Sequence, residues 1–171
     1  MDKEYEAFYD YDEADNLKAQ YYMLHDQIEG EYMSYSDNRL QSILKFKKGK
    51  LHGVCKFFDE EGQLSQLVQF KEGRINGHMI TYQDKKRNSY SHYKDDKLDG
   101  PLINFYLNNA VKVKIHYKEG KLHGPSYYFN EQGIKISEAN YENGKLHGDS
   151  IIYYPNGKIY KIEKFNQGKN L

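Results

Sequence analysis

The chain has 171 residues, of which 38% are hydrophobic and 29% charged, and its mean hydropathy is −0.97. Its 18 tyrosines and 8 phenylalanines exclude a disordered chain, because disordered segments are poor in aromatic residues. Its 25 basic and 25 acidic side chains balance, and this excludes a general nucleic-acid binder, which needs a basic face.

The beginning of the chain shows no targeting signal. Met1-Asp2-Lys3-Glu4 is acidic and is not followed by the apolar segment of a signal peptide. No apolar run reaches the length of a membrane span. A single cysteine excludes an internal disulfide framework and a Cys-rich zinc site. These features predict a cytoplasmic protein.

A five-residue motif recurs along the chain. Gly-Lys-Leu-His-Gly occurs three times, and three weaker copies lie between and before these. The closing glycines are Gly30, Gly53, Gly77, Gly100, Gly124 and Gly148. Their spacings are 23, 24, 23, 24 and 24 residues, so the chain is built of repeats.

Each repeat carries two turn signals. The motif itself is one, and the other follows about nine residues after the closing glycine, most sharply at Pro155-Asn156-Gly157. The segments between turns are of strand length and contain β-branched and aromatic residues, as in Ile151-Ile152-Tyr153-Tyr154. At Asp84-Lys85-Lys86-Arg87 the turn glycine is missing, which suggests a longer or bulged connection.

The predicted fold is all-β: an elongated single-layer antiparallel meander of about seven β-hairpin repeats of 23–24 residues, forming one domain over residues 1–171. An aromatic residue stands five positions after each closing glycine, and we expect this column to hold the sheet together. The predicted repeats are 6–29, 30–52, 53–76, 77–99, 100–123, 124–147 and 148–171.

The repeat resembles the MORN repeat, and more closely the variant found in bacterial antitoxin-like proteins of the YwqK type. The clearest copy runs from Gly124 to Gly148. The resemblance implies a curved antiparallel sheet, no catalytic residues, and contact with another protein or, in eukaryotic relatives, with membranes.

No catalytic, cofactor or metal site is predicted. His52, His123 and His147 share one column, but equivalent residues of neighbouring repeats lie two strands, about 9.6 Å, apart. Zinc needs its ligands at about 2 Å, so we assign this column to the turns. The carboxylate pairs also fall in turns, and a thin sheet offers no cleft that would shift their pKa values.

The predicted partner-binding positions are those that vary in chemistry beside the constant columns. A scaffold that keeps one column constant while its neighbour diversifies is typical of a repeat protein with a specific surface, and tyrosine-rich patches suit protein interfaces. The residues selected are Tyr32, Phe57, Tyr106, Tyr128 and Tyr154.

The two ends of the chain differ in charge. Residues 1–15 carry a net charge of −6 and residues 155–171 a net charge of +3. This asymmetry protects open strand edges, or it pairs the ends of two copies in a homodimer or array.

The predicted function is therefore a non-enzymatic protein-binding module, of the antitoxin or immunity type, that neutralises a partner protein such as a toxin. The alternative is a structural or membrane-associated scaffold that assembles end to end or on anionic lipid, although membrane contact is not favoured.

Overall fold

The computed structural model describes residues 5–171, and every regular element in that range is a β-strand. Each strand pairs antiparallel with neighbours in the sequence, which confirms the predicted all-β meander of hairpins. The chain divides into two compact units, Met1–Lys85 and Lys86–Leu171. We call them unit 1 and unit 2 and describe each by itself.

The described part of unit 1, residues 5–85, contains eight strands. They are β1 Glu6–Tyr11, β2 Leu17–Leu24, β3 Gln27–Ser36, β4 Arg39–Lys47, β5 Lys50–Leu51, β6 Gly53–Phe58, β7 Leu64–Lys71 and β8 Arg74–Gln83. The pairings run from β1–β2 to β7–β8, and β4 pairs with both β5 and β6.

Unit 2 contains nine strands. They are β9 Lys86–Lys94, β10 Lys97–Phe105, β11 Val111–Lys118, β12 Lys121–Leu122, β13 Gly124–Phe129, β14 Lys135–Glu142, β15 Lys145–Tyr153, β16 Ile159–Asn166 and β17 Lys169–Asn170. The pairings run from β9–β10 to β16–β17, and β11 pairs with both β12 and β13.

A two-residue turn with positive φ at both positions stands at the start of the motif in each repeat. Lys48-Gly49 has φ values of 50° and 71°, and Asp95-Asp96 has values of 48° and 66°. Such turns match the twist of the flanking strands and favour Gly, Asn and Asp. Asp84-Lys85 adopts the same conformation, with φ values of 51° and 62°. The connection there is a tight turn instead of the longer one that the sequence suggested, because two non-glycine residues take left-handed φ.

Within each unit, main-chain hydrogen bonds tie motif turns to the preceding repeat. In unit 1 the amide of Gly73 donates to the carbonyl of Leu51 at 2.9 Å. In unit 2 the amides of Gly144 and Gly168 donate to the carbonyls of Leu122 and Leu146, both at 2.8 Å. These bonds form a ladder within each unit that joins one repeat to the next.

A β-bulge interrupts the hairpins at a constant place. In every repeat whose register is described there, the second strand contributes one extra residue. Bulges bend the strand and increase its twist. The six bulge residues are Lys18, Gln41, Ser65, Lys112, Ile136 and Tyr160.

The most buried side chains are small. In unit 1, Cys55 is 0% exposed and pairs with buried Val68, and these define what we call the Cys55 face. In unit 2, Ser126 is 1% exposed and pairs with Ala139, and these define the Ser126 face. Because successive side chains alternate between faces, the aromatic column of Phe58 lies on the opposite side.

Gly100 is expected to tolerate substitution less well than Gly120. Gly100 has a φ of 121°, and a Cβ there would lie 3.3 Å from the Cβ of His92. Gly120 has a φ of 79° in open surroundings, and Asp96 occupies the same place one repeat earlier. We expect Gly100→Ala to lower the free energy of unfolding by about 1–3 kcal/mol and Gly120→Asn to change it by less than about 0.5 kcal/mol in urea denaturation. Equal losses would contradict this account.

Candidate interaction surface

Tyr32 stands in the middle of a row of aromatic rings on the Cys55 face. The ring centroids of Tyr21 and Tyr32 are 5.3 Å apart, and Phe8 stacks on the other side of Tyr21 at 5.5 Å. Phe46 meets Tyr32 edge to face at 6.0 Å. These separations are favourable for aromatic pairs, so Tyr32 helps to hold four strands together.

Phe57 lies on the same face as Cys55, opposite Ser42 and Gln66, and is half-buried. The amide of Lys45 donates to the sulfur of Cys55 at 3.4 Å. Burial raises the pKa of the Cys55 thiol above its usual value. The thiol therefore stays protonated and packs as a small apolar group.

Tyr106 joins two neighbouring repeats of unit 2. Its hydroxyl donates to the carbonyl of Phe129 at 2.9 Å, and the ammonium of Lys112 lies 5.5 Å from its ring centroid. Beside it, the side chain of Asn108 donates to the carbonyl of Glu131 at 2.8 Å. Tyr106 is therefore engaged within the fold.

Tyr128 lines a groove of about 450 Å³ on the Ser126 face. Its floor is formed by small residues, Ala139 and Ser150, which pair across β14 and β15. Ile136 and Ile152 form part of its wall. Unlike Tyr32, Tyr128 thus borders an open depression.

Tyr154 lies at the end of β15 and contacts the next strand. Its ring meets that of Tyr160 edge to face at 5.0 Å. Tyr160 takes the bulge position in β16 that Ile136 takes in β14. Of the five predicted partner-binding residues, Tyr128 lines the groove and Tyr154 contacts Tyr160, whereas Tyr32 and Phe57 belong to unit 1 and Tyr106 bonds internally.

Seven large apolar side chains of residues 134–162 are exposed, among them Ile134 at 38%, Ile159 at 51% and Ile162 at 49%. Ile136 is 39% exposed, Ile152 41%, Tyr154 47% and Tyr160 59%. We call these four residues the C-terminal patch. Since exposed hydrophobic residues are ordinary when scattered singly, it is their grouping that is informative.

A comparison of repeats within the chain shows that the fold does not require these residues. The bulge position of Ile136 and Tyr160 holds polar side chains elsewhere, such as Lys18, Gln41 and Ser65, in the same backbone geometry. Because the bulge forms equally well with a polar residue, its two apolar members in the last repeats are free to serve another purpose.

The position of Tyr154 is held by different residue types in different repeats. Asp59 and Asn130 hold it in two of them, where their side-chain oxygens accept turn amides at 2.7 and 2.9 Å, and Tyr106 holds it in the repeat after Gly100. In the last repeat the side chain of Asn156 accepts the amide of Lys158 instead, at 3.0 Å. The turn is thus closed without Tyr154.

Two lysines neighbour the C-terminal patch. Lys161 pairs with Ile152 across β15 and β16, and its ammonium lies 3.0 Å from the Glu163 carboxylate. Lys158 is exposed in the turn between Tyr154 and Tyr160. Lys164, 3.9 Å from Asp149, lies on the opposite face, because Asp149 and Ile152 are an odd number of residues apart.

A second groove, of about 600 Å³, lies in unit 1. Tyr5 and Tyr22 are among its lining residues. Glu31 and Lys45, 3.6 Å apart, also line it. Because Glu29 and Lys47 lie there as well, its lining carries equal numbers of carboxylates and lysines.

The histidine column belongs to the turns. Two acidic members of the same column accept turn amides of the following repeat: Glu29 from Lys48 at 2.6 Å and Asp99 from Glu119 at 3.1 Å. His52 points its Nδ1 at a carboxylate oxygen of Glu72, 3.4 Å away. Among residues 5–171, no three His, Cys, Asp or Glu side chains come together in a group that could hold a metal ion. Glu29 and Asp99 hold the turns of the following repeat.

A hydrogen-bonded triad adjoins the groove, since Glu138 and Tyr153 are among its lining residues. Glu138 accepts from the Lys135 ammonium at 2.7 Å and from the Tyr153 hydroxyl at 2.5 Å. These bonds, chiefly that from Lys135, lower the pKa of Glu138. Glu138 in turn raises the pKa of Tyr153 and of Lys135.

Sequence reasoning missed Ile136, Ile152 and Tyr160. The sequence does contain the difference, since Ile136 and Tyr160 stand where other repeats have polar residues. The equivalence of these positions became clear only from the bulge in the strand pairing.

Comparison with known families identifies two segments. The family model described as "MORN repeat variant" matches residues 51–72 and 146–167. No curated protein matches the chain. The part of the chain that the structure describes contains no helix suited to crossing a membrane.

Solved structures give distant similarities. One is a mutant of Staphylococcus aureus TarM in complex with fondaparinux, alpha-GlcNAc-glycerol and UDP, with 18% identity and a TM-score of 0.39 over 56% of this chain. Another is a crystal structure of TarM, with 20% identity and a TM-score of 0.36 over 68% of this chain. The chain covers only 19% and 20% of the lengths of these two proteins.

Tyr32 and Tyr154 are expected to differ in their contribution to stability. We expect Tyr32→Ala to lower the free energy of unfolding by about 1–3 kcal/mol, because it breaks the aromatic row. Tyr154→Ala is expected to change it by less than about 0.5 kcal/mol, because its ring is exposed and the turn does not need it. Urea denaturation of both variants checks this, and a larger loss for Tyr154→Ala would contradict it.

Glu138→Gln is expected to lower stability in a pH-dependent way. Because the pKa of Glu138 is lowered in the folded chain, its ionised carboxylate stabilises the fold at pH values above the usual carboxyl pKa. This contribution disappears as the pH falls through the folded-state pKa. The loss should be at most about 1 kcal/mol at pH 7, because the pair is partly exposed. Urea denaturation at pH 7 and pH 3 should show the difference from wild type shrinking at the lower pH. Asp149→Asn, in the exposed 3.9 Å pair, is the control.

Proposed function

We propose that this chain, a MORN-repeat protein of the variant type, is a non-enzymatic module that binds another protein through its C-terminal patch. The MORN repeat family is not an enzyme family, and such repeats are often involved in binding. The observation that carries the proposal is the grouping of four exposed apolar side chains at positions where the fold accepts polar ones.

The form of the patch suits protein recognition. Interfaces are centred on aromatic and aliphatic anchors with a polar rim, and tyrosine is among the residues that contribute most binding energy. Here the two isoleucines line the groove together with Ala139 and Ser150. The two tyrosines contact each other, and Lys158 and Lys161 lie close to Tyr160 in the sequence. Tyr128 belongs to the same contact, at the groove wall. A stable complex needs about 800 Å² from each partner, so the contact would extend over neighbouring strands.

The class of partner follows from the resemblance to antitoxin-like proteins. We infer that the chain neutralises a partner protein by covering it, as an antitoxin or immunity protein does. Inhibition of this kind needs a complementary surface and no catalytic group. The same proposal places the protein in the cytoplasm.

Capture from the native cell tests the proposal, with Ile152→Glu as the patch variant and Val54→Glu as its matched control. Val54 is 43% exposed and lies in unit 1, outside the patch. We expect the wild type and Val54→Glu to retain the same partner, identified by mass spectrometry, and Ile152→Glu to lose it at least about tenfold, because a carboxylate would be desolvated in the contact.

A second measurement tests neutralisation. The captured protein is expressed with and without this chain, and cell growth is followed. Growth arrest that the wild type relieves and Ile152→Glu does not would support an antitoxin role. A partner retained equally by all three proteins would exclude the patch, and salt-sensitive flotation with anionic vesicles in the absence of any protein partner would favour the membrane scaffold.

A further inference from the structure

We propose that the C-terminal patch binds the acidic first hairpin, residues 5–24, of a second copy of this chain. The inference rests on the proposed function, in that it takes the patch to be a protein-binding surface and names one protein that fits it.

The first hairpin offers apolar groups of the right kind. Tyr5, Tyr9 and Tyr11 are 50%, 51% and 57% exposed. Tyr9 and Tyr11 project from the same side of β1, because alternate residues of a strand share a face. Aromatic rings of this exposure complement the exposed Ile152 and Tyr160 of the patch, and burying them together removes apolar surface from water on both copies.

The charges of the two surfaces are opposite. Residues 5–15 contain five carboxylates and no lysine or arginine, whereas residues 155–171 contain four lysines and one glutamate. Asp12 is held in its turn by the amides of Ala14 and Asn16, at 2.9 and 2.8 Å. The hydrogen bonds to Asn16 and Ala14 lower its pKa, so it is charged at neutral pH. Opposite fields steer association and fix its orientation.

Other exposed apolar side chains either stand outside both surfaces or lie next to the patch in the sequence. Val54 and Leu107, 43% and 56% exposed, belong to different units, and Ile159 and Ile162, 51% and 49% exposed, flank Tyr160 in β16. Within residues 5–171, tyrosine alternating with carboxylate is a feature of the first hairpin, and exposed isoleucine and tyrosine among lysines is a feature of the last repeats.

The contact is heterologous, since the patch of one copy meets a different surface of the next. A copy that has bound one neighbour keeps one surface of each kind unoccupied, so association continues until a ring closes or an array forms. Salt should oppose it, because the charges on both surfaces are exposed.

Analytical ultracentrifugation of the full chain tests the proposal with two double variants. Ile152→Glu/Lys158→Glu reverses the patch and leaves the hairpin intact. Tyr9→Lys/Glu13→Lys reverses the hairpin and leaves the patch intact. All four side chains are exposed, so both proteins should fold, and circular dichroism melting checks this. Val54→Glu is the matched control.

The expected result is specific to a head-to-tail contact. Wild type and Val54→Glu should sediment above the monomer mass at low salt. The protein concentration at which half of the chains are associated should rise roughly tenfold in high salt. Each double variant alone should be monomeric. An equimolar mixture of the two should associate, because each partner supplies one intact surface.

A wild type that remains monomeric at low salt and high concentration would overturn the inference, as would double variants that still assemble alone. A monomeric wild type whose patch is still needed to capture another protein leaves the proposed function standing. Assembly that follows the expected pattern without any patch-dependent partner sustains this inference and contradicts neutralisation.

Discussion

The structure depends on the main-chain ladder that joins the turns of successive repeats. A turn amide reaches back to a carbonyl of the preceding repeat, as Gly73 does to Leu51 and Gly168 to Leu146. A two-stranded hairpin of this length is marginal in water when it stands alone. Each repeat is therefore stabilised by its neighbour, as in other repeat proteins, whose stability is close to a sum of repeat and interface terms.

This arrangement explains why the chain can be poor in hydrophobic residues. The buried positions take small side chains such as Cys55 and Ser126, while larger rings such as Tyr21 and Tyr32 stack beside one another on the face. Tyrosine suits such a surface because its ring packs and its hydroxyl remains hydrated. The sheet thus needs contact between neighbouring strands more than it needs a thick core.

The regular repeats also allow equivalent positions to be compared within one chain. Because equivalent positions share one backbone geometry, residue types can be compared directly at one column. Gln41 and Tyr160 occupy the same bulge, yet only the tyrosine adds an exposed apolar surface. Tyr106 and Tyr154 also share a column, and the hydroxyl of Tyr106 bonds to Phe129 whereas the ring of Tyr154 contacts Tyr160. A surface built in this way can change its partner without changing its fold.

The sequence by itself determined the repeat length, the all-β class and the place of each turn, because glycine spacing and turn chemistry act locally. It also placed Tyr128 and Tyr154 among the partner-binding candidates. Only the tertiary structure decided that Tyr32 stacks in an aromatic row and that Tyr106 bonds to Phe129, since both contacts join different strands. The bulge register was equally out of reach, because one extra residue changes which side chains share a face, and that depends on how each strand pairs with its neighbours.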